Sequence, residues 1–160
     1  MDLTFIRQGY KDKGLDKEDL NTDPVIQFES WFEEAKKLEP IPTAMSLSTV
    51  NNNGEPTLRT VLLKLFDKKG FIFFTNYKSR KADHITDNPN VAVLFSWVAQ
   101  ERQVSITGVA EKIKTKESIK YFISRPRGSQ LGAWVSDQSS VLSSRKILEM
   151  KLEEMKHKFS

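Results

Sequence analysis

The sequence predicts a mainly β protein of the α+β kind, an antiparallel sheet or barrel with flanking helices. Three observations carry this. Five short runs of strand-forming residues lie between residues 43 and 113, at the spacing expected of an all-β sheet or barrel. The joins between them include Asn53-Gly54 and Asp67-Lys68-Lys69-Gly70, and Asn-Gly is a strong two-strand connector. Helical periodicity is confined to the two ends and one short segment at residues 79–88, which argues against repeated βαβ units.

Taken in order, residues 1–22 are polar and uneven, with Phe5 and Ile6 as their apolar feature. They read as an arm, or a short helix, that hugs a surface or a partner subunit. The domain proper is expected over residues 23–160. Asp23-Pro24 is a helix start, Asp as N-cap and Pro in the first turn. Val25, Phe28, Trp31, Phe32, Ala35 and Leu38 then recur at helical spacing until Pro40. Strands are expected at 43–50, 57–66 and 71–75, followed by a short helix over 79–88 that Pro89 stops. Residues 91–98 place Val91, Val93, Phe95 and Trp97 on one face. Residues 102–113 place Val104, Ile106, Gly108 and Ala110 on one face and Gln103, Ser105 and Thr107 on the other.

From Thr115 the pattern turns helical. Ile119, Phe122 and Ile123 form an apolar face, and Tyr121 and Arg125, four apart, share another. Pro126 ends that helix. Ser129 is expected to cap a short helix holding Leu131, Ala133, Trp134 and Val135. Gln138-Ser139-Ser140 reads as a polar loop, and Ser143 or Ser144 as the cap of a last helix with Leu148, Leu152, Met155 and Phe159 spaced for burial.

Bulk properties narrow the function. A length of 160 residues, 38% hydrophobic and 29% charged, suits one globular domain. The net charge of +4, from 25 basic and 21 acidic residues, points weakly to an anionic partner. No basic stripe dominates, so a nucleic-acid binder is not expected. The chain has no cysteine, which excludes disulfides, thiolate catalysis and cysteine zinc sites. Its two histidines, His84 and His157, are far apart in sequence, so no metal site is expected. The N-terminus lacks a signal-peptide pattern, and no apolar run approaches the roughly 20 residues that span a bilayer. A soluble, cytoplasmic protein is the expectation.

The stretch from Arg59 to Lys81 holds the most chemistry. Arg59, Lys64, Arg80 and Lys81 supply four cations, with Thr75 and Ser79 as hydroxyl donors. Cations at a helix N-terminus oppose the macrodipole, an arrangement that makes sense around a bound anion; the alternative is that Arg80 and Lys81 are simply solvated. In a regular strand Arg59 and Lys64, five apart, point to opposite faces. Either a bulge re-aims one, or they serve different ligands or different ends of one. Tyr121, Arg125 and Ser129, spaced four and four, fit a compact anion clamp, though spacing alone favours a helix-surface tyrosine with an exposed arginine ending the helix. Gln103, Gln138 and Ser139 suit polar heterocycle edges or phosphates. There is no Gly-rich phosphate loop, nucleophile elbow or convincing carboxylate pair. Any redox chemistry belongs to a cofactor.

The runs Arg59-Thr60-Val61-Leu62-Leu63-Lys64, Phe73-Phe74-Thr75-Asn76, Ser79-Arg80-Lys81 and Glu101-Arg102-Gln103-Val104 continue into Tyr121-Phe122-Ile123-Ser124-Arg125-Pro126-Arg127. Ser129-Gln130-Leu131-Gly132-Ala133-Trp134-Val135-Ser136 and Gln138-Ser139-Ser140 follow. Together they resemble the pyridoxamine 5′-phosphate oxidase family, in order and over essentially the whole chain. Ser-Arg-Pro-Arg followed by Gly-Ala-Trp is the specific part of the match.

The resemblance implies a Greek-key-like, FMN-binding split barrel and a homodimer with FMN between the subunits. It implies oxidation of pyridoxamine or pyridoxine 5′-phosphate to pyridoxal 5′-phosphate, by hydride transfer from C4′ to flavin N5 with dioxygen as acceptor. The implied FMN positions are Arg59, Thr60, Val61, Leu62, Leu63, Lys64, Phe74, Thr75, Ser79, Arg80, Lys81, Gln103, Gln138 and Ser139. Phe74 stands where the family has tyrosine. The implied substrate positions are Lys64, Tyr121, Arg125 and Ser129, with Arg7 and Tyr10 of the arm folding over the bound substrate. In this scheme Arg59 serves the flavin phosphate and Lys64 the region where flavin and substrate meet. Family members continue into strands carrying a flavin-contacting tryptophan and an Arg-x-His segment. Nothing here corresponds, so catalytic residues stay unassigned, and the sequence reads as a truncated piece rather than a shortened relative. The alternatives are a split-barrel protein that binds flavin or pyridoxal phosphate without turnover, and an oxidase of the same fold with another substrate.

Overall fold

The structure, a computed structural model, describes residues 1–6, 9, 14–114, 121, 123–130, 150 and 153–154. Helix α1 spans Pro24–Leu38, and the strands are β1 (Ala44–Val50), β2 (Pro56–Asp67), β3 (Gly70–Phe73), β4 (Asn90–Trp97) and β5 (Arg102–Val109). Helix α2 (Arg80–Asp87) lies between β3 and β4. The five strands form one antiparallel sheet in the order β3-β2-β1-β4-β5. The chain therefore leaves the β3 edge, crosses by α2 and re-enters beside β1.

Local chemistry accounts for the elements. Asp23 caps α1, its carboxylate accepting from Val25 N at 2.9 Å, with Pro24 in the first turn. Asn51 Oδ1 accepts from the N–H groups of Asn53 and Glu55, and Gly54 takes φ 80° to close the β1–β2 hairpin. Asp67 Oδ1 does the same for Lys69 and Gly70 in the β2–β3 turn. The third strand ends at Phe73, two residues earlier than its apolar run suggests, because Leu63↔Phe73 is the last pair of the ladder. The segment beyond turns at once, with Lys78 N donating to Asn76 Oδ1 at 2.8 Å.

One face of the sheet is the core. Met45, Leu47, Val61, Leu63, Val93, Phe95 and Trp97 are buried there. Phe28 of α1 is the hub, with ring centroids 4.9–5.8 Å from those of Phe32, Phe66, Phe71, Phe95 and Trp97. Burial of each such side chain stabilises by about 1.5–3 kcal/mol. The carbonyl of Pro42 accepts from Trp97 Nε1 at 3.0 Å, which satisfies the one polar atom of that ring. Helix α1 thus covers the Met45–Trp97 end of the inward face, and α2 covers the other end, where Thr49 and Thr57 pair.

A β-bulge interrupts β2. Leu63 pairs with Phe73 and Leu65 with Ile72, so Lys64 is the extra residue. The slip restores the inward phase for Phe66, which reaches Phe28. It does not bring Lys64 to Arg59. Arg59, Val61 and Leu63 face inward, whereas Thr60, Leu62 and Lys64 face outward.

Among the described residues no helix is long and apolar enough to cross a membrane, and no group of three acidic or imidazole side chains is placed to hold a metal ion.

Candidate functional site

The inward face ends in a polar cluster where α2 begins. Arg59, on β2, donates from Nη1 to the Leu47 carbonyl at 2.9 Å and to Thr49 Oγ1 at 2.8 Å, and from Nη2 to Thr57 Oγ1. Thr49 and Thr57 are cross-strand partners, and their hydroxyls lie 3.2 Å apart. Three of the five guanidinium donors are thereby used to fix the fork, and those left are at Nε and Nη2.

Ser79 stands at the N-cap of α2, as its residue type predicts, but its hydroxyl does not cap. It is fully buried and accepts from Lys81 Nζ at 3.2 Å. The two adjacent cations separate. Arg80 is exposed, whereas Lys81 is only 6% exposed. The purely solvated reading therefore fails for Lys81.

Electrostatics mark the cluster as short of negative charge. Burial, and then the charge of Arg80, hold the Arg59 guanidinium below its ordinary value. Burial, and then the charge of Arg59, do the same for the Lys81 ammonium. Among the described residues no carboxylate lies within ion-pair distance of Arg59 or Arg80. Three like charges lie near one helix start, two of them partly desolvated, an arrangement whose chemistry suits a phosphate-sized anion.

The remaining predicted residues fall in three places. On the outer face, the row Thr60–Ser46–Leu94–Ser105 crosses four strands. Leu62 and Gln103 lie two residues further along β2 and β5, towards the same end, with Lys64 beyond Leu62. Phe74 leaves the sheet after β3 and stacks on Tyr121, with centroids 3.6 Å apart; Thr75 follows it. Arg125 is half-buried, its carbonyl accepting from Gln130 Nε2 at 2.7 Å. Ser129 is exposed and lies inside a helical turn over residues 127–130, its N–H bonded to the Pro126 carbonyl, rather than at a cap. Among the described residues no side-chain hydrogen bond links Tyr121, Arg125 and Ser129. Arg7, Tyr10, Gln138 and Ser139 lie outside the described residues, as do the helices expected over 131–160 apart from positions 150, 153 and 154.

An open cleft of ≈ 630 Å³ between α1 and the bulge takes in Lys64 and Lys68, but Glu29, Glu33 and Asp67 line it too. Its three carboxylates outnumber its two lysines, so it lacks the excess of positive charge found around Arg59.

Sequence reasoning missed Thr49, Thr57 and His84. His84 is 7% exposed and sets Nδ1 3.2 Å from Thr49 Oγ1 and 3.4 Å from Thr57 Oγ1. The available signal was Thr49, a hydroxyl on a strand face otherwise filled by Met45 and Leu47.

Residues 32–159 match the pyridoxamine 5′-phosphate oxidase family. The chain belongs to that family. A pyridoxine/pyridoxamine 5′-phosphate oxidase of Crocosphaera subtropica is 61% identical over 160 residues, spanning 99% of this chain and 75% of the relative. The protein of the same name from Rippkaea orientalis is 58% identical, over 100% of this chain and 76% of the relative. The family read from the motifs, and the oxidase class that comes with it, are borne out. Two solved structures show the fold. PhzG of Burkholderia lata 383, in complex with tetrahydrophenazine-1-carboxylic acid, superposes with a TM-score of 0.84 at 24% identity, covering 89% of this chain and 71% of that one. A pyridoxamine 5′-phosphate oxidase-related, FMN binding protein of Nostoc punctiforme gives 0.62 at 16% identity, covering 81% and 73%. The sheet is that of the family's split barrel.

Proposed function

We propose that the chain is an FMN-dependent oxidase that converts pyridoxamine or pyridoxine 5′-phosphate to pyridoxal 5′-phosphate, with dioxygen as acceptor. The observation that carries the reading is the grouping of Arg59, Arg80 and Lys81 close enough to repel one another at the start of α2, with Lys81 bonded to buried Ser79. In a chain of this family, that cluster suits the phosphate of FMN. Arg59 offers its Nε and Nη2 donors, Lys81 and Arg80 add charge, and the first N–H groups of α2 point the same way.

FMN, held by these residues, would supply the redox chemistry, hydride acceptance from substrate C4′ at N5 with dioxygen as the final acceptor, reduced to hydrogen peroxide. The chain's own part is positioning and charge. Thr60, Leu62 and Gln103 lie on the outer face for the flavin ring, while buried Val61 and Leu63 are left to act through backbone. Phe74, Thr75, Gln138 and Ser139 complete the flavin positions. Lys64, on the opposite face from Arg59, serves the junction of flavin and substrate. Tyr121, Arg125 and Ser129 take the substrate phosphate, and Arg7 and Tyr10 close over it. The outer face also exposes Leu58 and Leu62, 67% and 40% accessible, where a second subunit of a homodimer would pack. A reducing, cytoplasmic setting is part of the reading, with which a cysteine-free chain is compatible.

The visible spectrum of the purified chain tests this. Flavin absorbance near one per chain, bleached by anaerobic pyridoxamine 5′-phosphate, is the expected result. Bound flavin that does not bleach marks the non-catalytic alternative, and failure to take up FMN ends both.

A further inference from the structure

His84 is a buried imidazole that the proposed chemistry leaves unused. It sits one turn into α2 and reaches across to the paired threonines of β1 and β2. Those threonines are also what hold the Arg59 fork. The three contacts are linked through shared atoms. Thr49 Oγ1 accepts from Arg59 Nη1 and lies 3.2 Å from His84 Nδ1. Thr57 Oγ1 accepts from Arg59 Nη2 and lies 3.4 Å from the same nitrogen.

One direction of the chain satisfies every donor and acceptor in it. Each threonine oxygen already receives an N–H from the guanidinium, so each hydroxyl has its own proton to place. Thr57 has the Thr49 hydroxyl at 3.2 Å and the Thr49 carbonyl at 3.4 Å as acceptors. With Thr57 donating to one of these, Thr49 donates to His84 Nδ1 in this arrangement. The ring then carries its proton on Nε2, and the bonds run one way, from guanidinium to hydroxyls to imidazole. Bonds aligned head to tail polarise one another and hold their geometry better than isolated ones.

We infer that His84 is a positioning residue for the anion site: Nδ1 is the terminal acceptor that turns the Thr49 and Thr57 hydroxyls so that their oxygens lock the Arg59 fork. The inference rests on the proposed role of Arg59 at the FMN phosphate. Without that acceptor the Thr49 proton competes for the atoms that hold Arg59, and the fork loses its orientation. The effect falls on the phosphate of a ligand and leaves its flavin ring alone, which separates this role from simple core filling.

The experiment titrates the wild-type chain, His84→Phe, His84→Asn and Thr49→Val with FMN and with riboflavin, following flavin fluorescence. Phe keeps the ring and removes the acceptor; Asn places an amide oxygen near the Nδ1 position. The expected result is a fall of about tenfold in the FMN-over-riboflavin preference for His84→Phe and for Thr49→Val, with riboflavin affinity unchanged. His84→Asn is expected to stay within about threefold of wild type. Should His84→Phe fail to fold, Thr49→Val and His84→Asn decide the matter by the same ratio. An unaltered preference in these variants, equal losses of both ligands, or an Asn variant no better than Phe overturns the inference while the flavin-phosphate reading stands. A wild-type chain with no preference for FMN over riboflavin overturns both.

Discussion

The Tyr121 ring lies flat on the ring of Phe74, centroids 3.6 Å apart and planes 7° from parallel. The contact joins a segment just past the end of β3 to the helical region that carries Arg125 and Ser129. The face of Phe74 thereby fixes the plane of the Tyr121 ring. Aromatic pairs contribute about 0.5–1.5 kcal/mol beyond their buried area. Phe74→Ala is expected to raise KM for pyridoxamine 5′-phosphate about 2- to 12-fold, whereas Phe74→Tyr keeps the stack and stays near wild type. Steady-state kinetics at saturating FMN check this. Equal KM values for the two variants would show that the stack does not seat the substrate.

Arg59 is held by three acceptors on two strands: the Leu47 carbonyl and the hydroxyls of Thr49 and Thr57. A lysine keeps the charge but has no fork to span them. Arg59→Lys is expected to weaken FMN about 10- to 100-fold, with riboflavin affinity little changed. Flavin fluorescence titrations measure both. A lysine variant that binds FMN like wild type would mean that charge alone suffices there.

Much of this fold is written in local pattern. The strand expected over 43–50, the Asn53-Gly54 turn and the Asp23-Pro24 helix start appear within a residue of where the pattern places them, whereas β5 alternates as expected but ends at Val109, short of residue 113. The bulge at Lys64 was legible only as a geometric conflict, because Leu62-Leu63-Lys64-Leu65-Phe66 is too uniformly apolar to reveal where the period slips. Its outcome is that Lys64 stays outward and Phe66 turns in. The His84–Thr49 contact spans 35 residues and depends on α2 crossing to lie over β1, which follows from strand order and not from any local spacing. Lys81 was equally hidden, since neighbouring Arg80 and Lys81 look alike in sequence and only packing buries one of them.

Phe28 is the one α1 side chain that touches rings from β2, β3 and β4. Phe28→Ala leaves a cavity that five surrounding rings cannot all collapse to fill, and a loss of about 3–5 kcal/mol is expected. Denaturant melts of the two chains measure it. A loss below about 1 kcal/mol would place the core's centre elsewhere.

Lys81 gives the protein a pH signature. Burial and the charge of Arg59 hold its ammonium below the ordinary 10.5. The folded chain thus binds this proton more weakly than the unfolded chain, and charging Lys81 opposes folding. That opposition is complete below the lowered folded value, and it fades as pH rises from there to 10.5, so stability from this group increases across the window. Lys81→Met keeps much of the buried stem and removes the charge. Without any anion, the variant is expected to melt at a higher temperature than wild type at about pH 7, with the gap narrowing towards about pH 10. Added phosphate reverses the order, because the anion stabilises the charged site and has less to bind in the variant. Thermal melts of both chains across that range, with and without phosphate, decide it. A gap that is flat with pH, or a phosphate effect equal in the two chains, would remove Lys81 from the anion site.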